Sequence, residues 1–232
     1  MLITGTLVNV ATVLAGGILG LLIGNKLPDR IKEMFFQGIG LFTLLLGIMM
    51  GMKTANPLVL VLAMITGGLL GEWWRLDRGM ERMADRLKTR TGMESAHFTE
   101  GLVTAFLLFC MGSMTILGAL EEGLGHPPAL LITKSLMDGL SAIALTATLG
   151  VGVMFSVLPL LLYQGGLTWL AFHLEPYLTD PLIQEMTAAG GLILIGLGLQ
   201  ILQIRQFRIL NFLPSLITAI LITLLMQQLG LY

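Results

Sequence analysis

The chain has 232 residues, of which 55% are hydrophobic and only 12% charged, with a formal net charge of −1. A soluble domain has about 25% charged residues, so most of this chain is built for a membrane. A spanning helix needs about 20 apolar residues, and eight such stretches leave too few positions for a second folded domain, which rarely has fewer than about 50. This excludes a soluble enzyme module, a receptor head and a nucleic-acid-binding domain.

Apolar runs of spanning length recur along the whole chain. In chain order they fall at about 3–24, 33–52, 57–74, 98–120, 129–151, 154–173, 184–204 and 209–228. The fifth and sixth runs abut at Gly150 and Gly152, so residues 129–173 form either two crossings or a re-entrant hairpin. The predicted fold class is all-α: a polytopic transmembrane helix bundle of about eight spans, or six plus a hairpin.

Lysines and arginines predict the orientation, because cytoplasmic loops are enriched in them. With an external amino terminus, the cytoplasmic side receives three of them in 25–32, six in 75–90 and two in 205–208. An odd number of spans moves the last two outside, so we expect both termini to be external. Within 75–90, Leu76 and Met80 begin an apolar stripe opposite the basic residues. This stripe predicts a cytoplasmic amphipathic anchor helix, and a lipid or partner site is the alternative.

A weak self-match joins the two ends of the chain. Gly16-Gly17 matches Gly165-Gly166, and Pro57 in the third span matches Pro214 near the eighth. The first copy begins outside and the second inside, which is the inverted repeat typical of secondary transporters. The predicted organisation is therefore one integral membrane domain, 1–232, made of repeat 1 (about 1–74), the amphipathic helix (75–93), central spans (98–151) and repeat 2 (150–230).

Small residues recur at four-residue spacing in three of the spans. They are Gly16, Gly20 and Gly24, then Gly47 and Gly51, then Gly67 and Gly71. This spacing lets helix backbones approach closely, so we expect tight helix pairs at these positions. The same glycine-lined faces suggest a homodimer, because 232 residues make a thin-walled pathway for one subunit.

An ionisable residue within a span costs roughly 2.5–3.5 kcal/mol on insertion scales and marks a functional site by default. Lys134 and Asp138 lie four residues apart in the fifth span, on one helix face, with Ser135 beside them. Asp138 is about 14 Å deep in a ~30 Å core. We interpret Asp138 as the ligand of a cation, a proton or a cationic substrate group, with Lys134 as its partner when the site is empty. The alternative is a structural pair or a lysine that snorkels outward.

Other polar residues interrupt the apolar runs. The fourth span carries Ser113 and Thr115 in the segment 110–119, which either unwinds around an ion or packs tightly against another helix. Asn9, Gln37 and Gln164 are neutral amides at depth. Such amides form interhelical hydrogen bonds or line a site, and the second role suits Gln164 best because Pro159 and Gly165-Gly166 allow its helix to bend.

The remaining titratable residues indicate little chemistry. Glu33 and Glu185 lie at span entrances and are expected to be solvated, and Cys110 is expected to be a buried apolar residue. The three histidines are scattered near span ends, and no phosphate-binding loop, metal-ligand spacing or carboxylate pair stands out. We therefore expect no enzyme activity, no cofactor and no metal site.

Three segments carry a family resemblance. They are Gly5-Thr6-Leu7-Val8-Asn9, the stretch from Cys110 to Ala119, and the run from Lys134 through Asp138 and Gly150 to Gly165. In them the chain resembles the bacterial YdfK/YqgA-type integral membrane family, a domain-of-unknown-function family, over essentially its whole length. The resemblance implies a small multi-pass protein of the bacterial cytoplasmic membrane and brings no known substrate or catalytic residue.

The leading functional hypothesis is a small-solute or ion transporter with a polar site at the middle of the membrane. Its predicted binding residues are Asp138, Lys134, Ser135, Ser113, Thr115, Gln164 and Asn9. The alternatives are an ion channel lined by the same spans and a non-transporting membrane scaffold. The expected partners are the lipid bilayer and a small solute or ion, with no nucleic acid.

Overall fold

The computed structural model describes residues 3–24, 28–79, 82, 86, 97–110, 113–174 and 179–229, and all regular structure in them is helical. The α-helices are α1 (Thr4–Gly24), α2 (Asp29–Gly51), α3 (Pro57–Trp74), α4 (Phe98–Cys110), α5 (Ser113–Gly123), α6 (Ala129–Leu149), α7 (Gly152–Phe155), α8 (Val157–Leu174), α9 (Asp180–Ile201) and α10 (Ser215–Gln228). A short 3-10 helix, Ile209–Phe212, precedes α10. The predicted all-α class is confirmed.

Among the described residues, six helices are long and apolar enough to cross a membrane. A seventh crossing is added if the bent pair α4 and α5 counts as one span, and α2 contributes a shorter apolar helix, Gln37–Gly51. Because the first turns of α2 carry charged residues, its apolar part is too short for a full span by itself. The structure thus supports a multi-span membrane protein, and the count of eight, the orientation and the inverted repeat stay predictions.

The chain divides into two compact units. Unit 1 consists of Met1–Ile39 and Ala84–Pro176, and unit 2 of Gly40–Met83 and Tyr177–Tyr232. The division falls within α2 and again close to the start of α9. Each unit is therefore assembled from two separate segments of the chain.

In unit 1, α1 packs along α6 through its predicted glycine stripe. A Cβ added at Gly20 would lie 2.5 Å from the carbonyl oxygen of Ile143, and one at Gly24 would lie 2.6 Å from that of Ala147. Only glycine permits backbones to approach this closely. The consequence for the site is that the polar residues of α1 are held directly against those of α6.

In unit 2, α3 packs against α10 and α9. Gly47 and Gly191 make a close approach, because a Cβ at Gly47 would lie 2.7 Å from the carbonyl oxygen of Gly191. The Thr218 hydroxyl donates to the Ala63 carbonyl at 2.9 Å, which joins α10 to α3. The core of this unit is made of small and branched apolar side chains, namely Leu60, Ala63, Ala188, Ala189 and Ala219.

Candidate functional site

The predicted ion pair forms at the centre of α6. Asp138 is the tenth of the 21 residues of this helix, and Lys134 precedes it by one turn. The Lys134 ammonium donates to Asp138 Oδ2, and the two side chains are only 7% and 10% exposed. The lysine therefore does not snorkel outward, and both charges lie inside unit 1.

Two amides from other helices complete this network. Asn9 Nδ2 on α1 donates to Asp138 Oδ2 at 2.9 Å and to Gln164 Oε1 on α8 at 3.1 Å. Gln164 Nε2 in turn donates to the Thr6 hydroxyl at 3.2 Å. Asn9, Gln164 and Thr6 are fully buried. Four of the seven predicted site residues thus meet where α1, α6 and α8 converge.

Thr6 joins the network although it was not among the predicted site residues. Its position was readable from the sequence, because Thr6 and Asn9 are three residues apart and so lie on one face of a helix. A threonine within an apolar span does not by itself indicate a binding site, because threonine hydroxyls commonly hydrogen-bond to the preceding turn of their own helix. The distinguishing signal is therefore the spacing to a second polar residue.

Of the other three predicted residues, Ser135 and Thr115 bond to main-chain carbonyls instead. Ser135 Oγ donates to the Leu131 carbonyl at 2.6 Å, one turn back in α6. Thr115 Oγ1 donates to the Phe109 carbonyl at 3.1 Å. Ser113 is the first residue of α5, and its side chain lies outside the described residues. A role for these three in binding stays a prediction.

The fourth span consists of two helices whose axes differ by 64°. The first, α4, ends at Cys110 and the second, α5, begins at Ser113, and residues 111 and 112 lie outside the described residues. The Thr115 hydroxyl of α5 donates to the Phe109 carbonyl of α4. Cys110 is fully buried, as expected. Both α4 and α5 pack against α6, which carries the ion pair.

Two buried glutamates cap helices, and the sequence interpretation missed both. Glu122, on the last turn of α5, accepts a hydrogen bond from Gly5 N at 2.6 Å through Oε1. Glu185, on α9, accepts from Ala55 N at 2.8 Å and Asn56 N at 3.0 Å through Oε1, and from the Thr54 hydroxyl at 2.7 Å through Oε2. Each carboxylate receives main-chain N–H groups at the start of a spanning helix.

The expectation that Glu185 is solvated was wrong. The side chain is fully buried, because α9 begins at Asp180 rather than at 184 and so carries Glu185 inside the helix. Glu33, for which solvation was also expected, is exposed. The difference arises from the unpaired N–H groups that precede α3, which require an acceptor.

The buried charges are unevenly compensated. Among the described residues of unit 1 they are Glu122, Lys134 and Asp138, so that one lysine faces two carboxylates. Lys134 pairs with Asp138, and no described basic residue pairs with Glu122. The buried described residues of unit 1 thus include two carboxyl groups and one lysine.

Comparison with known proteins gives two close relatives. The chain is 35% identical to "Uncharacterized protein YqgA" of Escherichia coli (strain K12) over 223 residues, which cover 94% of this chain and 95% of the relative. It is 31% identical to "Uncharacterized membrane protein YdfK" of Bacillus subtilis (strain 168) over 231 residues, 98% of both chains. No solved structure matches it significantly.

The family comparison agrees with these relatives and with the predicted resemblance, which is confirmed. Residues 4–224 match the family described as "Protein of unknown function (DUF554)". This range includes every helix of the structure apart from the last residues of α10. The chain therefore belongs to the DUF554 family, a membrane protein family of unknown function.

Proposed function

We propose that this protein transports a small cation or a cationic solute across the membrane, and that Asp138 binds the transported species. The observation that carries the proposal is the buried ion pair of Lys134 and Asp138, to which Asn9 and Gln164 converge from two other helices. When no substrate is bound, the Lys134 ammonium forms an ion pair with the Asp138 carboxylate. A cation that reaches Asp138 takes the place of this ammonium.

Stability alone gives no reason to keep the pair. Burying two charges costs several kcal/mol for each ion, and replacing a buried pair with apolar side chains is often neutral or stabilising by about 1–4 kcal/mol. In a spanning helix the insertion cost is added to this. A pair that can separate has a use, by contrast. The Asp138 carboxylate then has a positive partner in both states, which is Lys134 when the site is empty and the substrate cation when it is bound.

The surroundings of the pair favour a transport site. Secondary transporters commonly bind substrate beside discontinuous helices, where main-chain groups lose their helical partners. In this protein α4 and α5, whose axes differ by 64°, both pack against α6, the helix of Asp138. Gln164 Oε1 and Asn9 supply neutral polar groups that bind a cation without adding charge.

The first test separates function from folding with a charge-free pair. In Lys134→Met/Asp138→Leu both charges are removed together, so no lone buried charge remains. We expect the double variant to fold and to lose transport, measured as transient currents of proteoliposomes on a solid-supported membrane. The panel is sodium, potassium, ammonium, methylammonium and choline, with pH jumps for protons.

Three outcomes decide between the hypotheses. Saturable currents of the wild type that the double variant lacks support the proposal. Unitary conductance steps in planar bilayers favour the channel. Wild-type proteoliposomes that respond to no cation and no pH jump contradict transport and leave the scaffold, for which deletion of the amphipathic segment 75–93 should remove the cellular phenotype while Asp138→Asn does not.

Location and topology form a second part of the proposal. We place the protein in the bacterial cytoplasmic membrane with both termini external, supported by the distribution of basic residues and by the bacterial relatives. Cys110 is the one cysteine of the chain and is buried, so it gives little background labelling. Leu229→Cys should react with a membrane-impermeant maleimide from outside, and Arg205→Cys only after permeabilisation. The reverse pattern contradicts this orientation.

A further inference from the structure

A second buried carboxylate in unit 1 has an unfinished set of hydrogen bonds. Glu122 is 6% exposed, and its Oε1 accepts from Gly5 N at 2.6 Å. Its other oxygen, Oε2, is buried and has no hydrogen-bond partner. A buried acceptor without a partner is costly, the more so when the group is charged. Oε1 thus has a structural role at the start of α1, and Oε2 has none.

The capping of α1 accounts for only one oxygen of this carboxylate. The first N–H groups of a helix need acceptors, and Gly5 N uses Oε1 alone. Glu185 in unit 2 shows what a completed cap looks like, because three donors bind its two oxygens. Glu122 binds one donor and leaves one oxygen unused.

A second unused acceptor lies one helical turn away. Asn9 is fully buried, and its Oδ1 has no hydrogen-bond partner although its Nδ2 binds both Asp138 and Gln164. Gly5 and Asn9 are four residues apart on α1, so they lie on the same face, about 6 Å apart along the axis. Both unused atoms are acceptors, and the ligand that complements them is a cation or a proton.

The charge of the region agrees with this assignment. The charge of Lys134 is balanced by Asp138, which leaves Glu122 as the uncompensated charge among the buried described residues of unit 1. The adjacent Glu121 also holds a buried oxygen, Oε2, without a partner. The unused carboxyl oxygens of Glu122 and Glu121 are therefore potential ligands for a positive species.

We propose that Glu122 and the side-chain oxygen of Asn9 form a second cation station, which takes a sodium ion or a proton and belongs to the same pathway as Asp138. The inference rests on the proposed function, since a station of this kind serves the coupling or the entry of the transported species. Asn9 belongs to both parts of the proposal, because its Nδ2 binds Asp138 while its buried Oδ1 has no hydrogen-bond partner. Glu122 is a positioning residue for α1 and a ligand for the cation at once.

The test compares two glutamate-to-glutamine variants in purified protein. Glu122→Gln removes the charge and keeps an acceptor for Gly5 N, and Glu185→Gln is the matched control in unit 2. Sodium binding is measured by equilibrium scintillation proximity with ²²Na⁺, and proton binding by the pH shift of an unbuffered solution containing a pH dye. We expect Glu122→Gln to weaken binding of one of these cations at least about tenfold, equivalent to about 1.4 kcal/mol, and Glu185→Gln to leave it unchanged.

Further variants keep the result interpretable if folding is affected. Glu122→Asp keeps the charge and should retain most of the binding, whereas Glu121→Gln removes only a neighbouring charge and should weaken binding by less than Glu122→Gln. Monodisperse elution and an unchanged unfolding temperature identify the folded variants. If Glu122→Gln misfolds, Glu122→Ser takes its place: loss of binding in Glu122→Ser with retention in Glu122→Asp supports the station, and wild-type binding by Glu122→Ser overturns the inference.

The outcomes distinguish this inference from the proposed function. Wild-type affinity in Glu122→Gln, or no binding of either cation by the wild-type protein, overturns the second station. Loss of currents in Asp138→Asn alongside full binding in Glu122→Gln keeps the transport site and removes this one. Binding that depends on Glu122 in a protein whose currents survive Lys134→Met/Asp138→Leu keeps the station and contradicts the proposed site.

Discussion

The two units use their acidic residues differently. In unit 2 the acidic residues that interact with other elements have local tasks: Glu185 receives three donors at the start of α3, and Glu72 accepts from Asn211 Nδ2 at 2.8 Å and pairs with Arg208. In unit 1, Lys134 and Asp138 neutralise each other at the centre of a helix that needs neither. This contrast teaches that burial of a charge is no functional signal until its structural task has been checked.

The same contrast holds for the glutamate caps. Both Glu122 and Glu185 receive N–H groups at a helix start, but only Glu185 uses both oxygens in the contacts described. Unfinished hydrogen bonding separates a group that stabilises the fold from one that is available to a ligand.

Breaking the unit 1 pair on one side should have the largest effect on stability. Asp138→Leu leaves Lys134 buried without a partner, which costs about 3–5 kcal/mol. The double variant Lys134→Met/Asp138→Leu should be at most about 1 kcal/mol less stable than the wild type, because no lone charge remains buried. Steric trapping in bicelles measures both free energies of unfolding. A double variant as unstable as the single one shows that the pair has a structural task after all.

Removing the unit 2 cap should destabilise without recovery. Glu185→Leu strands Ala55 N, Asn56 N and the Thr54 hydroxyl, and an unsatisfied buried group costs about 1–3 kcal/mol. Because these bonds are only partly buried and water can replace some of them, we expect a total loss of about 2–4 kcal/mol in the same measurement, with the current per folded molecule unchanged. A specific loss of current in well-folded Glu185→Leu would place this residue in the transport pathway and end the distinction between the units.

Displacing α1 from α6 should weaken both stability and the site. A Cβ at Gly20 meets the Ile143 carbonyl oxygen at 2.5 Å, so Gly20→Ala should cost about 1–3 kcal/mol by overpacking and reduce the current. Gly166→Ala is the control, because no atom lies within 4 Å of the added methyl group. This control should be neutral or stabilising by about 0.5–1 kcal/mol, as expected for glycine in a helix. Equal effects of both substitutions contradict the close packing of α1 on α6.

The surface pair of unit 2 should contribute least. Arg208 and Glu72 are 67% and 52% exposed at their side chains, and exposed pairs contribute about 0.2–1 kcal/mol. Arg208→Gln should therefore lower the free energy of unfolding by less than about 1 kcal/mol and leave the current unchanged. A larger loss would indicate that Arg208 also supports the Glu72–Asn211 contact.

Much of the fold was readable from the sequence, because spanning length and turn residues set the helix limits. The predicted run 57–74 coincides with α3, where Asn56 caps the helix through its side chain and Pro57 begins it. The beginning of α9 was placed too late, since Asp180-Pro181 was interpreted as a turn although proline suits the first turn of a helix. For the segment 110–119, unwinding was only one of two expectations, because small residues allow both helix bending and close helix packing.

Four residues of the candidate site could be predicted from the sequence, but the hydrogen bonds that join them could not. Lys134 and Asp138 followed from their spacing in one helix, and Asn9 and Gln164 from being polar at depth. Their meeting depends on the tight contact of α1 with α6, which residue spacing within one helix does not encode. Glu122 was missed because its position at the end of a span resembles that of a solvated residue.

The central claim is that the Asp138 carboxylate binds a cation in place of Lys134. Ion-exchange difference infrared spectroscopy of the protein in lipid, perfused alternately with N-methyl-D-glucamine as the reference and each cation of the panel, reports directly on carboxylates. Asp138→Asn and Glu185→Gln serve as the paired variants. We predict a change in the carboxylate stretching bands that persists in Glu185→Gln and disappears in Asp138→Asn. A band change that survives in Asp138→Asn, or its absence from the wild type with every cation, contradicts the account.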